Sequence, residues 1–463
     1  MIPGEAVDVR QWAEKKLNEP AADGAAALAK KEGTERETFK TVVHVDGDPQ
    51  GNILSTCLAN EIGGVSGPLP LDADRLIIQR KKGPSTTMPP LESLAFGRFF
   101  SDHMLEIDWD HETGWHSPSI HPFQNLSLHP AASSLHYSLQ CFEGMKAYKS
   151  AKSKKDGGEG EKRILMFRPN LNMARFKKSC ARLALPDFDS NQLIKLIMKL
   201  LEVDSEFIPD QEGYSIYIRP TAIATQPTLG VSAPLYSKIF VVLSPVGPYY
   251  PTGFKPVSIL AESRFVRAWP GGSGDTKVGG NYGPTIRPQA MGAEEGFQQL
   301  LWLYPEAVDG ETDQMLTEVG TMNLFVYWIS EEGEAELVTP PLESNLILPG
   351  VTRKSILDLA RQMAKEGSGS QFEGLKVRER KMYMNRDFLK AHADGRIKEV
   401  FGAGTAAVIS PVNLLSYKGV PLPIPLDPSD PSRGSGPLAA ELLQRLQDIQ
   451  YGRTDSEWSW PVC

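Results

Sequence analysis

One lysine sits among six glycines in the stretch Gly271-Gly-Ser-Gly-Asp-Thr-Lys277-Val-Gly-Gly-Asn-Tyr-Gly283. Little side-chain bulk surrounds that amine, so a ligand can approach it. A lysine becomes a nucleophile toward a carbonyl when burial or a nearby cation lowers its pKa, and Schiff-base formation is the reaction that uses this. The stretch does not satisfy the Gly-x-x-x-x-Gly-Lys-Ser/Thr pattern of a nucleotide-binding loop, and a Gly-rich turn with an exposed lysine, taken alone, is more often a plain surface loop. Three further segments shift that balance. Leu316-Thr-Glu318-Val-Gly-Thr321-Met-Asn323 offers a carboxylate before a Gly-Thr turn, and Leu348-Pro-Gly350-Val351-Thr352-Arg353 opens a helix with free backbone amides. Phe401-Gly-Ala-Gly404-Thr405-Ala406 is a Gly-rich turn after a strand. Helix N-termini and small-residue turns present N–H groups that bind phosphate, and the Thr405 hydroxyl adds a donor. A lysine that traps an aldehyde, a carboxylate for a ring nitrogen and two phosphate-binding turns are what pyridoxal phosphate requires.

Regular elements must position these turns. Leu193, Ile194, Ile197, Leu200 and Leu201 recur at helical spacing, which predicts a helix over 191–203 with one face on a sheet; 353–367 and 438–450 repeat the pattern. Strands are expected at 238–245, 257–261, 323–329 and 400–411, rich in β-branched and aromatic residues and bounded by Gly or Pro. Residues 150–163 and 421–437 read as surface loops. Three prolines and two glycines make 244–253 the best break between lobes. The expected division is an extension of unknown role at 1–70, with a modest helical pattern at 8–31, then a small α/β domain at 71–250, a linker at 251–263 and a large C-terminal domain at 264–463. There is no internal repeat.

Composition narrows the setting. The 463 residues carry 49 Lys+Arg against 57 Asp+Glu, a formal charge of −8 with both signs interspersed, so no polyanion partner such as nucleic acid is indicated. The four cysteines, Cys57, Cys141, Cys180 and Cys463, form no Cys-x-x-Cys, and a reducing compartment is the easier reading. The strongest apolar run, 239–243, is strand-sized and far below the roughly 18 residues that span a bilayer. The first forty residues hold about as many acids as bases and no serine, unlike a transit peptide, so the expected location is the cytoplasm; a misplaced start would allow a mitochondrial one.

In this order and with nearly this wording, the segments resemble the branched-chain amino acid aminotransferases, class IV pyridoxal-phosphate enzymes of fold type IV. The likeness runs from about Leu71 to Val462. Besides the turns above, it includes Phe96-Gly, Asp102-His-Met, Asn125-Leu-Ser-Leu-His-Pro130, Leu135-His-Tyr-Ser-Leu-Gln-Cys-Phe-Glu-Gly-Met-Lys-Ala147, Phe167-Arg-Pro169 and Tyr217-Ile-Arg-Pro220. The resemblance implies an α/β (α+β) fold of two lobes with the cofactor between them. It implies that Lys277 binds the cofactor covalently and moves the proton at the substrate Cα, and that Glu318 holds the protonated ring nitrogen. Arg168 would grip the phosphate bidentately, helped by the amides of Val351 and Thr352 and by Thr405, while Tyr282 meets the phenolic oxygen. Thr321, also among the cofactor contacts, and Ala406 would take the α-carboxylate.

The implied reaction is ping-pong transfer of the amino group between leucine, isoleucine or valine and 2-oxoglutarate. One pocket must then accept an aliphatic side chain and a γ-carboxylate in turn, which calls for apolar aromatic walls and one positive contact that leucine can ignore. Phe96, Tyr137, Phe142, Tyr217 and Tyr249 match that wall, and Arg219 matches the positive contact. Leu229 and Val231 match the loop that closes a partner subunit's site, which implies a homodimer. Two features depart from the family. Ala407-Val-Ile-Ser410 stands where mammalian members carry a redox Cys-x-x-Cys, and residues 305–315 lengthen a loop before Glu318. Seven of the eight histidines fall between His44 and His136 without ligand spacing, so no metal is expected. The rivals are a D-amino acid transaminase or aminodeoxychorismate lyase on the same fold, and a catalytically idle regulatory protein.

Overall fold

The computed structural model describes residues 68–150, 163–248, 255–366 and 371–462. Tyr249, the helical pattern at 8–31, Cys57 and Cys463 lie outside the described residues, as do 1–67 of the expected extension and 151–162 of the expected loop. Among the described residues two sheets form. The first holds β1 (Ile77–Ile78), β2 (His103–Asp110), β3 (Gly114–Trp115), β4 (Ser119–Pro122), β5 (Gln140–Phe142), β6 (Met145–Lys149), β7 (Ile164–Phe167), β8 (Ser215–Ala224), β9 (Tyr236–Val246) and, from the far end of the chain, β19 (Ser459–Val462). Its order is β1-β4-β2-β9-β8-β6-β7-β19, with β3 on β2 and β5 on β8.

The second sheet holds β10 (Val257–Glu262), β11 (Gln299–Val308), β12 (Glu311–Val319), β13 (Met322–Ile329), β14 (Ala335–Thr339), β15 (Lys376–Glu379), β16 (Ile397–Gly404), β17 (Val408–Tyr417) and β18 (Val420–Pro423). Its order is β12-β11-β10-β17-β16-β13-β14-β15, and an extra β12–β13 pairing closes six of these strands into a ring. The helices are α1 (Ser133–Tyr137), α2 (Pro169–Arg182), α3 (Ser190–Val203), α4 (Ile286–Glu294), α5 (Val351–Met363), α6 (Lys390–Ala393) and α7 (Pro437–Gln450). Mixed sheets with helices against them make an α+β fold.

The helix expected at 191–203 is α3. Asp189 caps it by accepting from the amides of Asn191 and Gln192, and its apolar stripe joins α2 and the first sheet in one core with Met173, Phe176, Ile216, Ile218 and Val241. At 1.5–3 kcal/mol per fully buried aliphatic side chain, the five stripe residues contribute roughly 10 kcal/mol before chain entropy is counted. A second core lies among β10–β13, β16 and β17, with Ile259, Leu301, Leu324, Val326 and Leu415.

The strands depart from expectation in five places. The run expected as one strand at 400–411 is a hairpin of β16 and β17, because Gly404 pairs with Val408 across a three-residue turn. Residues 420–423 of the expected loop pair with β17 as β18. The expected linker at 251–263 contains β10, whose apolar run is buried between parallel neighbours β11 and β17, as a strand covered on both faces must be. The break expected from 244 is also delayed: β9 continues through Pro245, paired with Ile216. Leu243 turns its carbonyl to Ser101, away from β8, and Pro245 presents its nitrogen to that same side, beyond the last β2 pair at Met104. Finally, residues 459–462 of the expected C-terminal domain complete the first sheet, as β19 pairs with β7.

Candidate active site

Lys277 lies in a turn held by side chains. The Thr276 amide and hydroxyl both donate to the Ser273 carbonyl, at 3.0 and 2.7 Å, and Asn281 Nδ2 donates to the carbonyls of Ser273 and Thr276 at 2.7 and 2.9 Å. The peptide of Lys277 is gripped from both sides. Its N–H donates to Ser179 Oγ on α2 at 2.8 Å, and its carbonyl accepts the Phe142 N–H of β5 at 3.1 Å. The amine donates to the Tyr282 hydroxyl at 3.3 Å and stands 5.0 Å from the centre of the Phe142 ring.

This amine opens into a cavity of about 280 Å³. On one wall Glu318, near the end of β12, is 2% exposed, with every bond directed. Its Oε1 accepts from the Leu348 amide at 2.9 Å and from Asn323 Nδ2 at 3.0 Å, and Oε2 pairs with Arg267 Nε at 2.9 Å. Burial pushes the carboxyl above its ordinary range, while Arg267, the Leu348 amide and Lys277 pull it back toward the anion. A second buried carboxylate, Glu143, is held by Arg175 through Nε and Nη2 at 2.7 and 2.8 Å, and by Asn172 at 2.8 Å. Burial alone would raise Glu143, but Arg175 overrides it and keeps the carboxyl below its usual value. Removing one member of such a buried pair costs about 3–5 kcal/mol.

The opposite end is built from turns. Val351 and Thr352 begin α5, where first-turn amides have no intrahelical partner, and Thr405 and Ala406 form the β16–β17 turn. Gly350 must lack a side chain, since a Cβ there would collide with Asn323 Oδ1. Beneath the second turn Lys146, 7% exposed, donates to the Ala406 carbonyl at 2.9 Å, and burial lowers its pKa to about 8. Toward the mouth, Phe96 packs edge-on against Tyr217 at 4.8 Å, and the Arg219 guanidinium lies 4.8 Å over Phe142 while donating to the Tyr217 hydroxyl at 2.9 Å. Gly144 clears room for that hydroxyl, which a Cβ would strike.

Of the residues singled out from sequence, Lys277, Tyr282, Glu318, Thr321, Val351, Thr352, Thr405, Ala406, Phe96, Phe142, Tyr217 and Arg219 line this cavity together. Arg168 does not. Its guanidinium bonds Ser355 Oγ at 3.0 Å and Asp358 at 3.1 Å, and stacks on Trp458 at 4.1 Å, so it meets α5 from outside the lining. The reason lies in the backbone: Arg168 takes a left-handed φ of 46° ahead of α2, and its N–H donates to the carbonyl of the distant Trp458. Tyr137, Leu229 and Val231 are also outside the lining, with the Tyr137 hydroxyl donating to the Leu229 carbonyl and the two aliphatic chains 65% and 77% exposed. Sequence reasoning missed Arg175, Arg267 and Lys146. A cation inside an apolar stripe, as Arg175 is among Met173, Phe176 and Cys180, was the available signal. Among the described residues no group of three or more His, Cys, Asp or Glu could hold a metal, and His103 is tied instead to Asp204 at 2.6 Å.

The donor set fits pyridoxal 5′-phosphate. An amine lies beside a phenol, a buried carboxylate stands ready for a ring nitrogen, and a helix N-terminus with a hydroxyl-bearing turn offers amides to a phosphate. A family model described as amino-transferase class IV matches residues 140–415. The branched-chain-amino-acid aminotransferase of Dictyostelium discoideum is 47% identical over 389 residues, 84% of this chain and 95% of that protein. The cytosolic enzyme of that name from Mus musculus is 48% identical over 372 residues, 80% of this chain and 88% of that one. The mitochondrial one from Bos taurus is 46% identical over 388 residues, 84% and 91%. Among solved structures, the branched-chain amino acid aminotransferase of Escherichia coli superposes with a TM-score of 0.56 at 23% identity, covering 77% of this chain and 99% of that one. The branched-chain aminotransferase of Thermoproteus uzoniensis with norvaline gives 0.57 at 20%, covering 77% and 99%. At such identities the structures share the fold.

Proposed function

Because the chain belongs to the class IV aminotransferases, and within them to the branched-chain amino acid aminotransferases, we propose that it exchanges the amino group between leucine, isoleucine or valine and 2-oxoglutarate. The rival activities and the idle protein give way to relatives of that one name at 46–48% identity over four-fifths of the chain. The observation that carries the reading is one cavity collecting the Lys277 amine, the buried Glu318 carboxylate, the α5 and Thr405 turns, and an Arg219 framed by aromatic rings.

When bound, pyridoxal 5′-phosphate supplies the aldehyde that takes up the amino group and the ring that accepts electron density from the substrate Cα. Lys277 Nζ holds and moves the proton at Cα, with Tyr282 fixing its position. Glu318, oriented by its ion pair with Arg267, holds a proton at the ring nitrogen. Val351, Thr352 and Thr405 bind the phosphate. Arg168 serves that end from behind, through Ser355 on α5. Thr321 and Ala406 bind the α-carboxylate, and Lys146 steadies the turn that carries Ala406. Phe96, Phe142 and Tyr217 exclude water around an aliphatic side chain, whereas Arg219 and the Tyr217 hydroxyl receive a γ-carboxylate. The lobe assignment expected from sequence is kept with two changes, β10 joining the large lobe and β19 the small one. The apolar, outward-facing Leu229 and Val231 support a homodimer in which they reach a partner's site. The proposed location is the cytoplasm; the relatives include both cytosolic and mitochondrial proteins, and no described helix is long and apolar enough to cross a membrane.

Replacing Lys277 with alanine tests the assignment. Turnover of leucine with 2-oxoglutarate should fall by about a thousandfold or more, within the range of a lost general base, while circular dichroism stays native. A near-normal rate would refute it.

A further inference from the structure

Two thiols meet in the core behind the lysine turn. Cys141 Sγ on β5 lies 3.5 Å from Cys180 Sγ on α2, and the residues are 0% and 2% exposed. Neither lines the cavity, and nothing in the proposed chemistry uses either. Their positions are nonetheless coupled to it. Phe142, next to Cys141, donates to the Lys277 carbonyl, and Ser179, next to Cys180, accepts the Lys277 N–H. Cys141 is also in β-bridge contact with Val278. The two elements that carry the sulfurs are therefore the two that grip the Lys277 peptide.

Small apolar side chains would fill this site as well as thiols do, so packing does not require the pair. What the pair adds is the capacity to join. A disulfide brings its sulfurs to about 2.05 Å, so bonding would close their 3.5 Å gap by on the order of 1.5 Å, through rotation of the two side chains and movement of β5 against α2. We propose that Cys141 and Cys180 form a redox-modification site, in which hydrogen peroxide converts the facing thiols to a disulfide that shifts the Lys277 peptide and lowers turnover until it is reduced. One sulfur, as its thiolate, attacks a peroxide oxygen, breaking O–O and forming S–O; proton transfer leaves a sulfenic acid and one water. The second sulfur attacks that oxidised sulfur, forming S–S, breaking S–O and releasing the second water. Two thiol hydrogens and two electrons thus reduce one peroxide to two waters. Enclosure of both sulfurs makes the reaction slow in the folded enzyme, and the Cys180 contact and the burial that push the Cys141 thiol well above its ordinary value act in the same direction.

The test uses the enzyme saturated with pyridoxal phosphate and carrying Cys57→Ser and Cys463→Ser, so that this pair alone can react. After incubation with excess peroxide, peptide mapping without reductant should find the Cys141 and Cys180 peptides joined, lighter than their sum by about 2 Da for the two hydrogens lost. Turnover should fall at least fivefold and return with dithiothreitol. Cys141→Ala and Cys180→Ser, each in the same background, should keep their turnover through peroxide treatment. Free or separately over-oxidised thiols in the map would overturn the site whatever the enzyme's activity proves to be. A joined pair with unchanged turnover would overturn the coupling to Lys277, and a loss that persists in both variants would place the damage elsewhere.

Discussion

Arg219 is held so that little of it is left to choose. Its guanidinium lies between the rings of Phe142 and Tyr217, at 4.8 and 5.1 Å, and one of its N–H groups is spent on the Tyr217 hydroxyl. An arginine fixed this way presents its remaining donors to an anion without having to be ordered first, while an aliphatic side chain meets only the ring faces. Arg219→Met should therefore raise KM for 2-oxoglutarate roughly tenfold to a hundredfold, the loss expected for a charge-assisted bond, and change that for leucine less than about threefold. Steady-state kinetics with each substrate varied separately decides it; equal losses would dismiss the dual-substrate role. At this scale the sequence was most readable where chemistry demands a residue type next to small residues, as at Lys277, Glu318 and Thr405. It was silent where a side chain's direction depends on a distant partner. Arg168 points at α5 because Trp458, 290 positions later, fixes its backbone, and the clamps on Glu318 and Glu143 come from residues 51 and 32 positions away.

Helix α7 begins without a cap of its own, since Gly436 precedes Pro437. The cap comes from another element: Glu399 on β16 accepts from the amides of Leu438 and Ala439 at 2.7 and 2.9 Å. Burial raises its pKa from 4.5 to about 7, against the pull of those two amides. Below pH 4.5 the folded and unfolded chains both keep the proton. Between 4.5 and about 7 the folded chain keeps what the unfolded chain has lost, so this residue's contribution to stability declines as pH rises and is gone above 7. The decline is at most roughly 3 kcal/mol. Glu399→Gln, a mimic of the protonated form, should match the parent near pH 5 and exceed it near pH 8 in urea unfolding; parallel pH profiles would exclude the effect. Elements with a single apolar stripe, such as α3, were legible from periodicity alone. The β16–β17 hairpin was not, because its apolar residues run on through a turn made of small residues and hide the reversal.

For the whole molecule, the net charge of −8 concealed a cavity that gathers Arg175, Arg219 and Lys277, since composition averages over a surface that the site does not share. Assembly is the other property that belongs here. Leu229 and Val231 expose apolar surface next to Tyr137, and water is an unfavourable neighbour for both. Changing both to aspartate should turn the proposed dimer into a monomer in sedimentation and cut turnover at least tenfold, with the far-ultraviolet spectrum unchanged. A dimer that survives the change would remove these residues from the interface. The return of β19 to β7 has a consequence for how the chain is made. Strand β7 ends at Phe167 and its neighbour begins at Ser459, so roughly 290 residues must be synthesised before that edge is paired. At about 5–20 residues per second, the first sheet waits on the order of 15–60 s with β7 as a bare edge, and that interval on the ribosome is when a chaperone or a second nascent chain could capture it.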